Sequence, residues 1–268
     1  MPVTEVDIES IIKSRAGRRA RYIPRFVYSW LRRFIHEDFI NEFLRREYVG
    51  VDFCEKSVEY IGATVDVKGE ENLPSHDAPL CTFVCNHPLG AIDGVTLGAV
   101  LGRQYDGRIK YLVNDFLMNL PGLAPLCVPI NKVGHQARNL PEMVEQIFSG
   151  ESHVIMFPAG LCSRRIDGVV QDLPWQKTFV IKSRKYQRDV VPVHFIGQNS
   201  DRFYRVANIC KRFHLPNFAM ALLPDEMYRS RGKHFEVRFG KPIPWQTFDK
   251  SRTALEWAAF VREEVYKI

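Results

Sequence analysis

The chain has 268 residues, 46% hydrophobic and 25% charged, with a net charge of +6 and a pI near 9. That is enough chain for a substantial core, in an ordinary globular composition. The longest weakly polar stretch, Ala91 to Gly102, contains Asp93 and is too short to span a membrane, and Met1 to Asp7 has neither the basic start nor the apolar core of a secretory signal. A cytoplasmic location is expected.

Residues 1–62 read as helical. Between Ile11 and Ile35 stand eight basic residues (Lys13, Arg15, Arg18, Arg19, Arg21, Arg25, Arg32, Arg33) and no acidic one. Such a block points to a polyanion, either nucleic acid or an anionic membrane surface. Ile23, Phe26, Val27, Trp30, Leu31, Phe34 and Ile35 recur at helical spacing as one apolar stripe, with Pro24 suited to the first turn. Trp30 and Tyr28 have the amphipathic character of membrane-interface residues, beside arginines that suit anionic headgroups. Equally, the stripe could pack on the rest of the chain. His36-Glu37-Asp38 has metal-ligand chemistry, but neighbours on a helix point apart, and a solvated face is expected.

From Thr64 onward the pattern alternates. Strands are expected at 64–68, 80–85, 108–113, 126–130, 152–158, 190–195 and 234–239, and helices at 94–103, 136–149, 174–187 and 247–267. The fold class is α/β: a mixed, largely parallel central sheet flanked by helices, with an N-terminal helical appendage. Two regions follow, a basic amphipathic region over 1–62 and a catalytic domain over 63–268. The six cysteines include no Cys-x-x-Cys pair, and Cys81, Cys85 and Cys127 sit in apolar runs, so buried free thiols are expected. No spacing resembles a metal site.

Two of the strands carry the chemistry. Leu80 to Cys85 empties into Asn86-His87-Pro88-Leu89-Gly90-Ala91-Ile92-Asp93-Gly94, and His153 to Met156 empties into Phe157-Pro158-Ala159-Gly160-Leu161-Cys162-Ser163-Arg164-Arg165. Polar, Gly-bearing loops after two strands point to one site at the carboxyl edge of a sheet. His87 can take and return a proton near neutral pH. Asp93 can hold the other ring nitrogen, or cap the helix that follows. Gly160 lies in a turn that lets backbone N–H groups approach a ligand, while Ser163, Arg164 and Arg165 offer donors and charge suited to phosphate or carboxylate.

The order Asn-His-(x)n-Asp and then Phe-Pro-x-Gly resembles the glycerolipid acyltransferases of the lysophosphatidic-acid acyltransferase type. Pro121-Gly122 to Ile130-Asn131-Lys132 resembles their second motif, Val190 to His194 their fourth, and Phe239-Gly240-Lys241-Pro242-Ile243 the strand that often closes the domain. The family places four residues between His and Asp and reads Phe-Pro-Glu-Gly-Thr-Arg-Ser. Here five residues separate His87 from Asp93, and Ala159, Leu161 and Cys162 replace Glu, Thr and Arg. This spelling resembles a bacterial subgroup linked to amino-acid-containing lipids as well as glycerophospholipids.

The resemblance implies an O-acyltransferase in lipid biosynthesis, peripheral on the inner face of the membrane. A fatty acyl group would pass from an acyl carrier protein or coenzyme A thioester to the hydroxyl of a lyso-lipid acceptor. That acceptor would be lysophosphatidic acid or a lyso-amino-acid lipid, with no other cofactor and no metal. It assigns His87 and Asp93 to catalysis and places Lys132, Gly160, Ser163, Arg164 and Arg165 against the acceptor. A lipid hydrolase using Ser163 or Cys162 is the rival enzyme, but no Gly-x-Ser-x-Gly elbow is present. A nucleic-acid-binding module is the other rival, and no recognition motif accompanies the basic block, so no nucleic-acid partner is expected.

Overall fold

Four helices open the chain: α1 (Ile8–Ala16), α2 (Arg25–Phe34), α3 (Glu37–Leu44) and α4 (Val51–Tyr60). The computed structural model describes residues 5–114, 120, 122–130 and 140–268. α1 starts on Asp7, whose carboxylate accepts from the Glu9 and Ser10 N–H groups left open by the first turn. Pro24 is the extended residue immediately before α2, where its missing N–H removes no helical bond.

The apolar stripe divides between two environments. Ile35 is buried and Phe34 packs against a buried cluster that includes Phe203, Tyr204 and Leu222, whereas Phe26 and Trp30 are 73% and 59% exposed. Tyr28, grouped with Trp30 from sequence, is instead inside, its hydroxyl donating to the Ala20 carbonyl. His36 is not on a solvated face. It takes a left-handed conformation that ends the run of α2, and its ring stacks on Tyr228 with Nε2 2.8 Å from Asp225.

The next elements are β1 (Thr64–Lys68), β2 (Thr82–Cys85), α5 (Ile92–Gln104), β3 (Ile109–Asn114), β4 (Cys127–Ile130), α6 (Leu140–Ser149) and β5 (His153–Met156). After them come β6 (Arg164–Ile166), β7 (Val169–Gln171), α7 (Thr178–Tyr186), β8 (Val190–Ile196), α8 (Asp201–Arg212), α9 (Leu223–Arg229), β9 (His234–Phe239) and α10 (Ala254–Lys267). Seven strands form one sheet in the order β1-β9-β8-β2-β5-β3-β4, parallel throughout except for the antiparallel β8–β9 pair. This is the mixed, largely parallel α/β sheet expected from the sequence.

Every residue of β2 and β5 is buried, because a parallel sheet is covered on both faces. Alternate residues then serve opposite layers. Phe83, Cys85 and Ile155 face a cluster with Leu97 and Leu101 of α5, while Val84, Val154 and Met156 face Phe179, Trp257 and Val261 of α7 and α10. Phe43, Leu44, Phe53, Cys54 and Ile61 of the N-terminal region join the α5-side cluster.

Helix boundaries follow local chemistry. The helix expected from 247 starts at 254, where the Thr253 and Glu256 side chains bond each other's backbone N–H in a capping box. The hairpin β6–β7 and helices α8 and α9 were not expected from sequence. The helix expected at 136–149 runs as α6 within the described residues.

Candidate active site

β2 pairs with β5 on one side and β8 on the other, all parallel, so their carboxyl ends open at the same edge. Asn86 locks this edge. Its side chain donates to the Phe195 carbonyl at 2.9 Å and accepts the Phe195 N–H at 2.7 Å, extending the β2–β8 ladder by one side chain. Farther on, Asn199 donates to the Pro88 carbonyl at 3.2 Å. The loop bearing His87 is therefore held from the β8 side.

Asp93 lies in the first turn of α5 and is completely buried. Its Oδ2 stands 3.0 Å from His87 Nδ1 and accepts the Leu89 and Gly90 N–H groups at 3.0 and 3.2 Å; Oδ1 accepts the Gly94 N–H at 2.9 Å. Five intervening residues thus wrap the carboxylate from the loop side, and a helix N-terminus favours the negative charge. Asp93 therefore holds His87 from within the first turn of α5; the capping role expected from sequence is not observed, because Ala91 occupies the cap position and makes no side-chain bond there. Burial works to raise the Asp93 carboxyl, but His87 and the backbone donors outweigh it and hold the carboxyl below its ordinary value. For His87, burial works against the proton, yet the charge of Asp93 and its hydrogen bond prevail and raise the imidazole above its ordinary value.

The His87 ring lies 4.2 Å from that of Phe157, tilted by 30°. With Nδ1 fixed on a carboxylate, the neutral ring carries its proton on Nδ1 and presents Nε2 as the basic nitrogen. No hydrogen bond reaches Nε2 among the described residues.

The Phe157–Arg165 loop meets this ring through the backbone: the Ser163 N–H donates to the His87 carbonyl at 2.8 Å. Gly160 turns the chain with φ +67°. Gly90 is the tightest point between the loops. Its φ is +85°, and a Cβ there would stand 2.5 Å from Cys162 Sγ. Gly90→Ala is expected to lower stability by about 1–3 kcal/mol, the usual strain for a side chain in such a backbone region. Urea denaturation checks this, and an unchanged midpoint would contradict the close approach.

Asp172, which the sequence did not single out, ties the two loops together. Its Oδ1 accepts the Ser163 hydroxyl at 2.5 Å and the His87 N–H at 3.2 Å, and its Oδ2 accepts the Trp175 indole N–H at 2.9 Å. All three neighbours donate, the bonding an ionised carboxylate requires. Burial nonetheless pushes the carboxyl above its ordinary value against these donors. From α10, Arg262 donates to the Asp172 carbonyl at 2.8 Å, and the Tyr266 hydroxyl accepts the Asp172 N–H at 2.8 Å.

The structure separates the acceptor-side residues expected from sequence. Ser163 is buried with its hydroxyl on Asp172, so it meets a ligand only through rearrangement. Arg164 and Arg165 alternate across β6 and point to opposite sides. Arg164 is buried, donates to the Cys162 and Ser163 carbonyls, and lies close enough to His87 to work against its proton. Arg165 turns outward to an ion pair with Asp201 at 2.8 Å and lies over Tyr204. Lys132 falls outside the described residues. The rival nucleophiles are poorly placed: Ser163 bonds Asp172 rather than His87, and burial pushes the Cys162 thiol up to about 12.

This geometry agrees with comparisons to known proteins. A model of the Acyltransferase family matches residues 10–268. The chain is 57% identical, over 98% of its length and 97% of the relative's, to a lyso-glycine lipid O-acyltransferase of Bacteroides thetaiotaomicron. It is 56% identical to the protein of that name in Phocaeicola vulgatus, covering 98% of this chain and 95% of that one. Its fold is similar to the crystal structure of the 1-acyl-sn-glycerophosphate (LPA) acyltransferase PlsC from Thermotoga maritima. The TM-score is 0.51 at 18% identity, covering 81% of this chain and 77% of the other. A match that spans both site loops and nearly the whole sequence assigns this chain to the Acyltransferase family.

Proposed function

We propose that the protein transfers a fatty acyl group from an acyl carrier protein or coenzyme A thioester to the hydroxyl of a lyso-glycine lipid. The observation that carries the chemistry is His87 seated on the buried Asp93, with Nε2 as its basic nitrogen. Nε2 takes the acceptor hydroxyl proton, and the oxygen attacks the thioester carbonyl. The tetrahedral intermediate then expels the thiolate, which receives the proton back from His87. No acyl-enzyme is required. The choice of a glycine head group is supported by the names of the relatives at 56–57% identity, and Arg164 near His87 is a cation compatible with any anionic head group, carboxylate or phosphate. The test is mass spectrometry of the products made by purified protein from lyso-glycine lipid with each thioester. The diacylated glycine lipid is expected, and its absence with both donors would overturn the assignment.

The acceptor is itself an amphiphile, and attachment to the inner membrane face through residues 11–35 fits the reaction. No described helix is long and apolar enough to cross a membrane. Lys13 and Arg32 are engaged by Glu9, each at 2.8 Å, so their charges are partly spent, while Arg25 and Arg33 are exposed near Phe26 and Trp30. Each free basic residue at an anionic surface adds roughly 1 kcal/mol at low salt. Liposome flotation should show binding that rises with anionic lipid and falls with salt; binding indifferent to both contradicts the electrostatic attachment.

A further inference from the structure

A second surface, far from residues 11–35 in sequence, has the same character. α8 is buried on one side only, through Phe203, Tyr204, Ala207 and Cys210. Its other side and the segment beyond it expose Ile209, Phe213, Leu215, Phe218 and Met220, with Phe213 63% and Phe218 55% exposed. Single exposed apolar residues are ordinary, but five large ones within twelve positions are not. Arg205, Lys211 and Arg212 are exposed on and beside this stretch, Arg202 is engaged by Asp225, and no acidic residue stands between Asp201 and Asp225 in the sequence.

This segment rests directly on the site. Ala219 and Leu222 share a buried cluster with Cys162 of the Phe157–Arg165 loop, and Leu223 bears on the Gly90 position. Phe34 of α2 enters the same cluster with the Arg202 guanidinium 5.4 Å from its ring. Trp30, one turn earlier, stacks on Phe34 at 5.2 Å.

We infer that α8 and residues 213–220 form a second membrane-docking surface, which seats the protein on an anionic bilayer beside the loops that carry His87 and Cys162. The inference rests on the proposed lyso-lipid acceptor only for its purpose. The charge and exposure of the segment stand without it. A bilayer meets both demands, with acyl chains for the aromatic and aliphatic side chains and phosphate or carboxylate headgroups for the cations. A second copy of this surface does not, because it would set the same cations against one another. An acidic protein would answer the cations and leave the five apolar side chains unexplained.

The test is flotation of the full-length protein with phosphatidylglycerol-containing vesicles, comparing wild type, Phe213→Ser/Phe218→Ser and Lys211→Gln/Arg212→Gln. Both pairs are exposed, so the fold is retained, and circular dichroism verifies this. The phenylalanine pair should weaken partitioning by roughly tenfold or more, and the cationic pair should flatten the salt dependence. Acylation of vesicle-borne lyso-glycine lipid should fall in step, while turnover of a detergent-dispersed acceptor stays at the wild-type rate. Wild-type partitioning by both variants overturns the surface, as does a change confined to acyl carrier protein binding. A protein that loses vesicle binding in these variants, yet acylates no lyso-lipid in its wild-type form, upholds the surface and overturns the proposed function instead.

Discussion

His87→Ala should lower turnover by about 10²–10⁴, the range for loss of a general base, while the protein stays folded. Its ring is half-buried beside Phe157, and its one described side-chain hydrogen bond goes to Asp93, so removing it unlocks little else. The wild-type pH profile gives an independent check. Burial disfavours the His87 proton, but Asp93 and Asp172 hold it against Arg164, and the net effect raises the imidazole above 6.5. A general base works in its neutral form, so kcat/KM should climb through a pKa above 6.5. Near-normal turnover in a folded His87→Ala protein would end the mechanism.

Asp93→Asn should be nearly as damaging, approaching the 10⁴-fold loss seen when a triad aspartate becomes asparagine. The Oδ2 position receives His87 Nδ1, Leu89 N–H and Gly90 N–H, so an amide NH₂ there faces donors and an amide oxygen there supplies no charge. Either orientation loosens the tautomer of His87. What activity remains should show its acid limb at lower pH, because burial and Arg164 then act on His87 with less opposition. An unfolded or merely weakened protein would not move that limb. Stability should respond too. Folded Asp93 lies below its ordinary value, so its contribution is present above about 3.8 and lost as pH falls through the lowered pKa. The raised His87 contributes below 6.5 and loses that contribution as pH rises through its folded pKa.

The sheet was legible because its central strands announce themselves. Leu80 to Cys85 and His153 to Met156 are mostly apolar runs, interrupted only by the buried Thr82 and His153, as suits parallel strands covered on both faces, and the segments after them carry His87, Asp93 and Gly160 in sequence order. What escaped was set by contacts across distance. Asp172 reaches His87 only because the β6–β7 hairpin folds back, and three-residue strands carry almost no periodic signal. Arg164 and Arg165 looked like one cationic pair, yet strand alternation sends Arg165 to Asp201. α8 was readable in principle: Ser200 caps it, and Phe203, Tyr204, Ala207 and Cys210 recur at helical spacing. Its polar and cationic side chains masked that stripe, the same feature that now marks the helix as a surface. The N-terminal stripe misled in the opposite direction, because helical spacing cannot distinguish Phe34, which finds a core, from Trp30, which does not.

The most direct test of the account sets lyso-glycine lipid against lysophosphatidic acid at equal concentration, with one thioester donor and mass-spectrometric detection of both products. Preferential formation of the acylated glycine lipid, abolished by His87→Ala, is the predicted result. Exclusive acylation of lysophosphatidic acid would show that Ala159 and Cys162 leave head-group choice unchanged and would contradict the assigned acceptor.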